Sequence, residues 1–317
     1  MAARDEILRG WRLPVLVALA VVLVAAPPFL NSYWVGLLTE MVILAILAMS
    51  LDILLGYTGL PSLGHAATFG VAAYGVAVLS TTYRMDVWTC LLGGLLVGTL
   101  LSGAFGLIVS HVRDVYFLMI TLALGMVLWG VSYRWIPVTG GDNGISGIPR
   151  LEAALGLPGE GPIPFYYLTL AVFVVSGLLM ALLVRSPFGL TLRGIRENEG
   201  RMRSLGFNTW LHCYLSYVLS GAFASVAGVM WAYYNGFVSP TYLDLTASSE
   251  LFLMVTLGGP ATLIGPVLGA AAIVLLKNVI SAYTARWLLI LGLVYIVTIL
   301  AAPQGLWNLG KAGKRSE

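Results

Sequence analysis

Charged residues are scarce in this sequence. Asp, Glu, Lys and Arg make up only 10% of its 317 residues, whereas hydrophobic residues make up 59%. A soluble domain contains about 25% charged residues, so this composition excludes an ordinary soluble protein. The longest polar interval runs from Arg134 to Pro164. It is too short for a separate soluble domain, because domains rarely have fewer than about 50 residues.

Cysteine and histidine are also rare, with two cysteines and three histidines in the whole chain. Cys90 and Cys213 fall at or inside apolar runs, which indicates no disulfide framework. The histidines are scattered, and none stands at a metal-ligand spacing from a cysteine or a carboxylate. We therefore expect neither a disulfide scaffold nor a metal site.

A complete nucleotide-binding motif is missing. Residues 305–311 match the start of a phosphate-binding P-loop, but Ala312 stands where a Ser or Thr would bind Mg²⁺. No predicted βα unit surrounds the segment either. We therefore predict that this chain has no ATPase site, binds no cofactor and is not an enzyme.

Continuous apolar runs make up most of the remaining sequence. A membrane-spanning helix needs about 20 apolar residues, and the runs do not alternate as the strands of a β-barrel do. They predict spans at residues 13–30, 35–55, 62–80, 87–110, 115–133, 165–184 and 211–234. A last apolar region at 247–303 is interrupted at Gly258 and from Lys277 to Arg286, so it holds three helices or a re-entrant hairpin and one helix. The predicted fold class is an all-α polytopic transmembrane helical bundle of about eight to ten spans, in a single domain over residues 1–317.

The basic residues indicate an orientation, because Lys and Arg are enriched in cytoplasmic loops. Both ends of the chain are basic, whereas the loops near 31–34 and 236–246 contain no Lys or Arg. The polar loop at 185–210 follows an even number of predicted spans. We therefore predict that this loop and both termini are cytoplasmic. Since the basic residues stand at span ends, the net charge of +3 indicates no nucleic-acid partner.

The segment Ser186–Asn208 is the most polar long stretch between two apolar runs. It contains Arg193, Arg196 and Glu197 among six charged residues. A charged cytoplasmic surface of this kind either docks a soluble partner or serves only to set the topology. The residues alone leave both interpretations open.

Small residues recur at every fourth position in three apolar segments. The stripes are Gly94, Gly98, Ser102 and Gly106; Ser216, Ser220, Ala224, Gly228 and Ala232; and Ala261, Gly265 and Gly269. In lipid, small residues let helix backbones approach closely. The stripes predict tight packing inside one bundle, or else a face that contacts a second subunit.

Two glycine-rich breaks, at residues 56–64 and 258–266, each separate two apolar runs and resemble each other. They suggest an internal repeat, and broken helices of this kind line substrate sites in transporters. Two ordinary turns would look the same. Asp52 precedes the first break and Glu250 the second, and Glu40 is a third acidic residue in an apolar run. Because such residues are costly in lipid, we expect them to face the bundle interior, a cavity or a span end.

Six segments resemble, in order, the permeases of branched-chain amino acid ABC importers, and specifically the M-type subunit of the leucine/isoleucine/valine system. They are LLGYTGLPSLGHAATFGVAAYG at 54–75, YFLMITLALG at 116–125, TGGDNGISGIP at 139–149, SPFGLTLRGIRENEGRMRSLGFN at 186–208, GFVSPTYLDLTASSELFLMVTLGGPATLIGPVLGA at 236–270 and APQGLWNL at 302–309. The resemblance covers nearly the whole chain after the first predicted span.

The resemblance implies a set of partners and a place in the cell. Such permeases work in the cytoplasmic membrane of a bacterium or archaeon, with a second homologous permease subunit and two cytoplasmic ATPase subunits that bind the ATP. A periplasmic or surface solute-binding protein delivers the solute. The 185–210 loop would be the ATPase-coupling loop, with residues Gly189, Arg193, Arg196, Glu197 and Gly206. The sequence departs from the family at Gly200–Ser204, where relatives often have an alanine-rich tract.

The resemblance implies branched-chain or related amino acids as the solute, although relatives carry urea, amides or aromatic acids. No buried cation for a solute carboxylate is evident in the sequence. Helix N-termini at the glycine-rich breaks would offer N–H groups instead. The candidate translocation-path residues are Asp52, Ser62, Gly64, His65, Glu250, Gly258 and Gly259. For His65, a packed and hydrogen-bonded side chain is the alternative interpretation.

Two other functional classes are compatible with a helical membrane protein. A secondary carrier driven by an ion gradient needs a coupling-ion site, for which the isolated carboxylates give little support. A membrane enzyme needs convergent polar residues near one interface, and the sequence suggests none.

Overall fold

The computed structural model describes residues 23–151 and 161–284, together with isolated positions from 286 to 305. Most of the predicted first span, both termini and the P-loop-like segment after Gly305 lie outside the described residues. The predictions that concern those segments are therefore not addressed by the structure.

The described part of the chain is almost entirely helical. Its helices are α1 (Ser32–Asp52), α2 (His65–Ala77), α3 (Val87–Val109), α4 (Asp114–Arg134), α5 (Ile136–Thr139), α6 (Ile163–Arg185), α7 (Pro187–Glu197), α8 (Glu199–Ser204), α9 (Thr209–Asn235), α10 (Leu245–Gly258) and α11 (Ile264–Tyr283). The end of α1 continues as a π-helical turn over Ile53–Thr58, and that of α2 over Val78–Thr82. Short 3₁₀ turns lie at Pro27–Phe29, Gly141–Asn143 and Pro240–Leu243. The predicted all-α class is confirmed.

Within the described residues, 6 helices are long and apolar enough to cross a membrane. They are α1 with its π-helical extension, α3, α4, α6, α9 and α11. Five predicted spans therefore match these helices to within about three residues, which is the usual scatter of helix ends. They are the spans at 35–55, 87–110, 115–133, 165–184 and 211–234. The polytopic helical bundle is confirmed, while the total of eight to ten spans stays a prediction.

The predicted span at 62–80 corresponds to α2 and the π-helical turn after it, residues 65–82, and the bounds agree to within about three residues. Residues 59–64 are not helical, and α2 begins only at His65 and has 13 residues. Gly59 adopts a left-handed conformation with φ 78°, which ends the helical turn before Pro61. All residues of α2 except Val71 and Gly75 are buried. Non-helical backbone is tolerated at membrane depth where protein surrounds it, and α2 lies in such an environment.

The predicted interruption from Lys277 to Arg286 begins too early, because Lys277 lies inside α11, which ends at Tyr283. The helix before it, α10, has only 14 residues, or about 21 Å at 1.5 Å per residue. That is shorter than the roughly 30 Å hydrocarbon core of a bilayer. Helices α10 and α11 pack against each other and are joined by a turn at 259–263. Most residues after 284 lie outside the described ranges, so the choice between three helices and a hairpin with one helix stays open.

The small-residue stripes lie inside the bundle, where α2, α3 and α9 pack together. The Ser102 hydroxyl in α3 donates to the carbonyl oxygen of Tyr217 in α9 at 3.0 Å. A Cβ on Gly228 would clash with the carbonyl oxygen of Phe69 in α2. In the third stripe, Cβ atoms on Gly265 and Gly269 would clash with α10. The packing interpretation is therefore confirmed for the helical residues of all three stripes, while a contact of one stripe with a second subunit stays a prediction.

The loop at 139–149 is ordered by pairing with a second loop. Strand β1 (Ile145–Ser146) pairs antiparallel with β2 (Phe237–Val238), so that Ile145 lies opposite Val238. Val238 is fully buried and Ile148 nearly so. This pairing joins the connection between α5 and α6 to the connection between α9 and α10, at the end of the bundle away from α7 and α8.

The contact between α2 and α9 gives a stability prediction. We expect Gly228→Ala to lower the free energy of unfolding by about 1–3 kcal/mol, the usual cost of overpacking, because the new methyl group meets backbone that cannot rotate away. Gly130→Ala in α4 is the matched control, since a Cβ there would have no neighbour within 4 Å. The measurement is the midpoint of thermal aggregation in detergent. Equal midpoints for the two variants would contradict the packing described here.

Candidate coupling loop and translocation pathway

The polar segment between α6 and α9 folds into two short helices. Ser186 caps α7 by accepting a hydrogen bond from the N–H of Gly189 at 3.4 Å, and Pro187 occupies the first turn. Asn198 is extended, so it ends α7, and its side chain caps α8 by accepting from the N–H of Arg201 at 2.9 Å. Gly206 then takes a left-handed conformation with φ 89° that lets the chain turn into α9. The local sequence thus produces a folded element rather than an irregular loop.

Helix α7 is attached to the end of α1. The guanidinium of Arg196 donates to the carbonyl oxygen of Gly56, and the guanidinium of Arg193 lies 5.0 Å from the ring centroid of Tyr57. Both partners belong to the π-helical turn that ends α1, where the carbonyls lack regular helical partners. Two of the predicted coupling residues therefore connect the loop to the membrane helices.

The other three predicted coupling residues have different positions. Gly189 is buried where α7 turns back on α6, and a Cβ there would clash with the carbonyl oxygen of Val184. Gly206 supplies the turn after α8. Glu197 is exposed, and its carboxylate makes no hydrogen bond or ion pair with the described part of the chain. Its side chain is therefore directed to solvent.

Glu199 is a connecting residue that sequence reasoning missed. Its carboxylate accepts from Arg113 at 2.7 and 3.0 Å, from Arg203 at 2.7 Å and from the hydroxyl of Thr209 at 2.8 Å. The hydrogen bonds from Arg113, more than any other contact, lower the pKa of Glu199 to about 2. The carboxylate therefore stays charged at physiological pH, and it joins α8 to the loop between α3 and α4. The sequence contains one indication of this contact, because Arg113 is a single Arg in a short loop between two predicted spans.

Asp52 brings the two glycine-rich breaks together. The side chain is fully buried, and its carboxylate accepts from the N–H of Ala261 at 2.7 Å and from that of Leu263 at 3.2 Å. Ala261 and Leu263 have φ values of 64° and 55°, a left-handed conformation that is unfavourable for residues with a Cβ. The Asp52 carboxylate thus stabilises a strained turn between α10 and α11. A Cβ on Gly56 would clash with this carboxylate.

The remaining candidates at the two breaks are packed. His65 is buried, and its Nε2 lies 2.8 Å from the Ser50 hydroxyl and 3.4 Å from that of Ser220. Gly64 contacts the carbonyl oxygen of Thr121 in α4, and the buried Ser62 hydroxyl accepts from the N–H of Gly64 at 3.4 Å. This geometry favours the packed interpretation of His65.

The second break is equally close-packed. Gly258 contacts the carbonyl oxygen of Gly265 across the turn, and Gly259 begins the turn that Asp52 holds. The structure therefore gives the glycines of both breaks a packing role, while their part in transport stays a prediction.

Glu250 pairs with a cation that sequence reasoning did not identify. The Lys277 Nζ lies 3.0 and 3.2 Å from the two carboxylate oxygens of Glu250, across the interface of α10 and α11. Both side chains line a cavity to which Glu40 of α1 also contributes. The signal was present in the sequence, because a Lys inside an apolar run is costly unless it faces a partner or a cavity. This indication was not used, because Lys277 was interpreted as the end of a helix.

Comparison with known proteins gives this geometry a context. The family model described as "Branched-chain amino acid transport system / permease component" matches residues 33–302. The high-affinity branched-chain amino acid transport system permease protein LivM of Escherichia coli is 30% identical, over 92% of this chain and 74% of that protein. The probable branched-chain amino acid transport permease protein LivH of Methanocaldococcus jannaschii is 26% identical, over 83% of this chain and 88% of that one. The autoinducer 2 import system permease protein LsrC of Klebsiella pneumoniae is 30% identical, over 80% of this chain and 74% of its own.

The Asp52 contacts generate a prediction that separates a structural role from a transport role. Asp52→Ala leaves two buried N–H groups without an acceptor, and each such group costs about 1–3 kcal/mol. We expect a clearly lower thermal midpoint for this variant and a smaller decrease for Asp52→Asn, which keeps one acceptor oxygen. Asp142→Ala, at an exposed position, is the control. A stable but transport-inactive Asp52→Ala would instead assign Asp52 to the solute path.

Proposed function

The chain belongs to the family of branched-chain amino acid transport permease components, and from this we propose that it forms part of the membrane path of an ATP-binding-cassette importer for branched-chain or related amino acids. It is a multi-pass protein of the cytoplasmic membrane and a permease component of the ABC type. The proposal extends this to the solute, the partners and the coupling route.

The attachment of the folded loop to the membrane helices is the observation that carries the proposal. The energy for import by an ABC system comes from separate ATPase subunits, so force must reach the permease through a contact on its cytoplasmic surface. Leu190 in α7 and Leu205 directly after α8 expose apolar side chains beside several arginines. Such a mixture of apolar and basic side chains suits a protein interface, where Arg is enriched. We assign this surface to one of two ATPase subunits.

The contacts behind this surface form a continuous route into the bundle. Arg196 contacts the end of α1 at Gly56, and Asp52, one turn further into α1, holds the turn between α10 and α11. Displacement of α7 by an ATPase would therefore be transmitted to the α10–α11 pair. Packed side chains and hydrogen bonds of this kind transmit displacement because close-packed interiors deform little.

A second permease and a solute-binding protein complete the proposed importer. The chain resembles relatives named as LivM and as LivH, which supports pairing between two homologous permeases. The ordered loop at 139–149 lies at the end of the bundle opposite α7 and α8, where a solute-binding protein would dock. Because the chain is also similar to a permease named for autoinducer 2, a solute other than an amino acid is the second candidate.

Co-purification and uptake test the proposal together. We expect the tagged chain, extracted from its native membrane in mild detergent, to bring down two copies of ATPase and a homologous permease. The same complex in proteoliposomes, supplied with ATP and its solute-binding protein, should import L-leucine, L-isoleucine or L-valine. Autoinducer 2, urea, an amide and an aromatic amino acid form the rest of the solute panel. Recovery of the chain alone, together with uptake that follows an ion gradient and not ATP, would replace the proposal with a secondary carrier.

Coupling through Arg196 gives a second prediction for this complex. Arg196→Ala removes a hydrogen bond from a charged donor, a contact that contributes about 1.5–3 kcal/mol. We expect the amount of solute imported per ATP hydrolysed to fall roughly tenfold. Arg134→Ala is the control, because Arg134 ends α4 at the side of the bundle away from α7. An unchanged transport ratio in Arg196→Ala would show that force enters by another contact.

A further inference from the structure

A cavity of about 360 Å³ lies beside the α10–α11 pair. Its walls come from α1, α2, α9, α10 and α11 and from the 3₁₀ turn at Pro240–Leu243. Sites for small molecules are usually concave spaces of about 300–1,000 Å³, so this cavity is large enough for one amino acid. It belongs neither to the loop contacts nor to the packed glycine-rich breaks.

Four charged residues line the cavity, namely Glu40, Asp244, Glu250 and Lys277. Glu250 and Lys277 form an ion pair at 3.0 Å, and their side chains are 13% and 36% exposed. The carboxyl of Glu40 interacts electrostatically with both. A purely structural pair needs one carboxylate for one ammonium group, whereas the described lining of this cavity has three carboxylates and one ammonium group. The additional carboxylates leave a position for another cation.

The rest of the wall is mainly apolar. Leu44 and Leu47 of α1, Phe69 of α2, and Leu251 and Met254 of α10 line it. One space therefore combines an ammonium group, three carboxylates and an apolar surface. These are the complements of a zwitterionic amino acid with an apolar side chain.

The cavity also lies where the coupling route can act on it. Glu40 precedes Asp52 by 12 residues of α1, a distance of about 18 Å along the helix axis. Glu250 and Lys277 belong to the two helices whose connecting turn is held by Asp52, but Glu40 belongs to α1 itself. Displacement of the α10–α11 pair relative to α1 would therefore separate Glu40 from the other two charges and weaken a ligand bound by all three.

We propose that this cavity is the amino acid site of the membrane path: Lys277 binds the α-carboxylate, Glu250 and Glu40 bind the α-ammonium group, and the apolar wall receives the side chain. This inference rests on the proposed import function and gives the solute class as α-amino acids in zwitterionic form. Entry of the solute exchanges the Lys277–Glu250 ion pair for two ion pairs with the ligand. Lys277 and Glu250 therefore each keep an oppositely charged partner before and after the solute enters.

Three variants in the complete transporter test the site by L-leucine uptake. We expect Lys277→Gln and Glu250→Gln each to reduce uptake by at least roughly tenfold, since each removes one of the charge pairs made with the ligand. The double variant Glu250→Lys with Lys277→Glu restores the ion pair but reverses the charges relative to the apolar wall, so we expect uptake to stay low. Arg134→Gln is the matched loss of a cation outside the cavity and should import normally. Membrane levels and co-purifying subunits are measured for every variant.

Restored uptake in the charge-reversed double variant would overturn the proposal, because the pair would then be structural. Normal uptake in Lys277→Gln would overturn it as well. If the wild-type complex imports no amino acid at all, the proposed function itself fails, and this result is distinct from both.

A measurement on the wild-type complex avoids dependence on folding of the variants. L-Leucine, 3-methylbutylamine and 4-methylpentanoate are each tested for raising the thermal midpoint of the complex without its solute-binding protein. The two analogues keep the apolar side chain but lack the carboxylate or the ammonium group. We expect stabilisation by L-leucine alone, in proportion to its occupancy. Equal stabilisation by either analogue, or none by L-leucine at concentrations that saturate uptake, would exclude a zwitterion site.

Discussion

The carboxylate of Asp52 is the contact on which the arrangement of the bundle depends. The turn between α10 and α11 has two residues in a left-handed conformation, and its N–H groups have no helical partner. In a membrane interior water cannot satisfy these groups, so a buried acceptor is required, and Asp52 supplies two oxygen atoms. The cost of burying the carboxylate is offset by these hydrogen bonds. These hydrogen bonds fix the turn between α10 and α11 to the end of α1, in addition to the apolar packing of the three helices.

Helix α1 makes functionally important contacts at two positions along its axis. At one end, the turn after Asp52 receives Arg196 and Arg193 from the exposed loop. About 18 Å away along the axis, Glu40 contributes to a cavity that is otherwise charged by α10 and α11. A helix that is buried on most of its surface is suited to this, because it moves only together with its neighbours. The strained turn and the ion pair are therefore parts of one connection between the exposed surface of α7 and α8 and a cavity of solute size.

The sequence was sufficient for the class of fold and for most spans, because uninterrupted apolar runs have one stable solution in lipid. It was insufficient for the environment of α2, since the hydropathy of an enclosed helix resembles that of a helix facing lipid. The role of Asp52 also escaped prediction. Its partners are backbone N–H groups some 209 and 211 residues away, and a sequence does not show where its N–H groups are orphaned. Lys277 was visible but was assigned to a helix end, and only the position of Glu250 opposite it reveals the cavity.

The Arg113–Glu199 ion pair determines whether the number of membrane crossings between these two residues is even or odd. Residues in contact at one surface must be separated by an even number of crossings. Between Arg113 and Glu199 these are α4 and α6. Between Gly56 and Arg113, α3 is the one helix of full membrane-spanning length. The second crossing that parity requires must therefore be made by the segment from 59 to the end of α2. The non-helical residues of this segment supply the length that α2 lacks. The same argument makes α10 the second crossing, after α9, between Glu199 and Ala261, although α10 is short. Parity thus favours crossings at two places where the helix is shorter than a full span, and one of them is the span that the apolar run at 62–80 predicts.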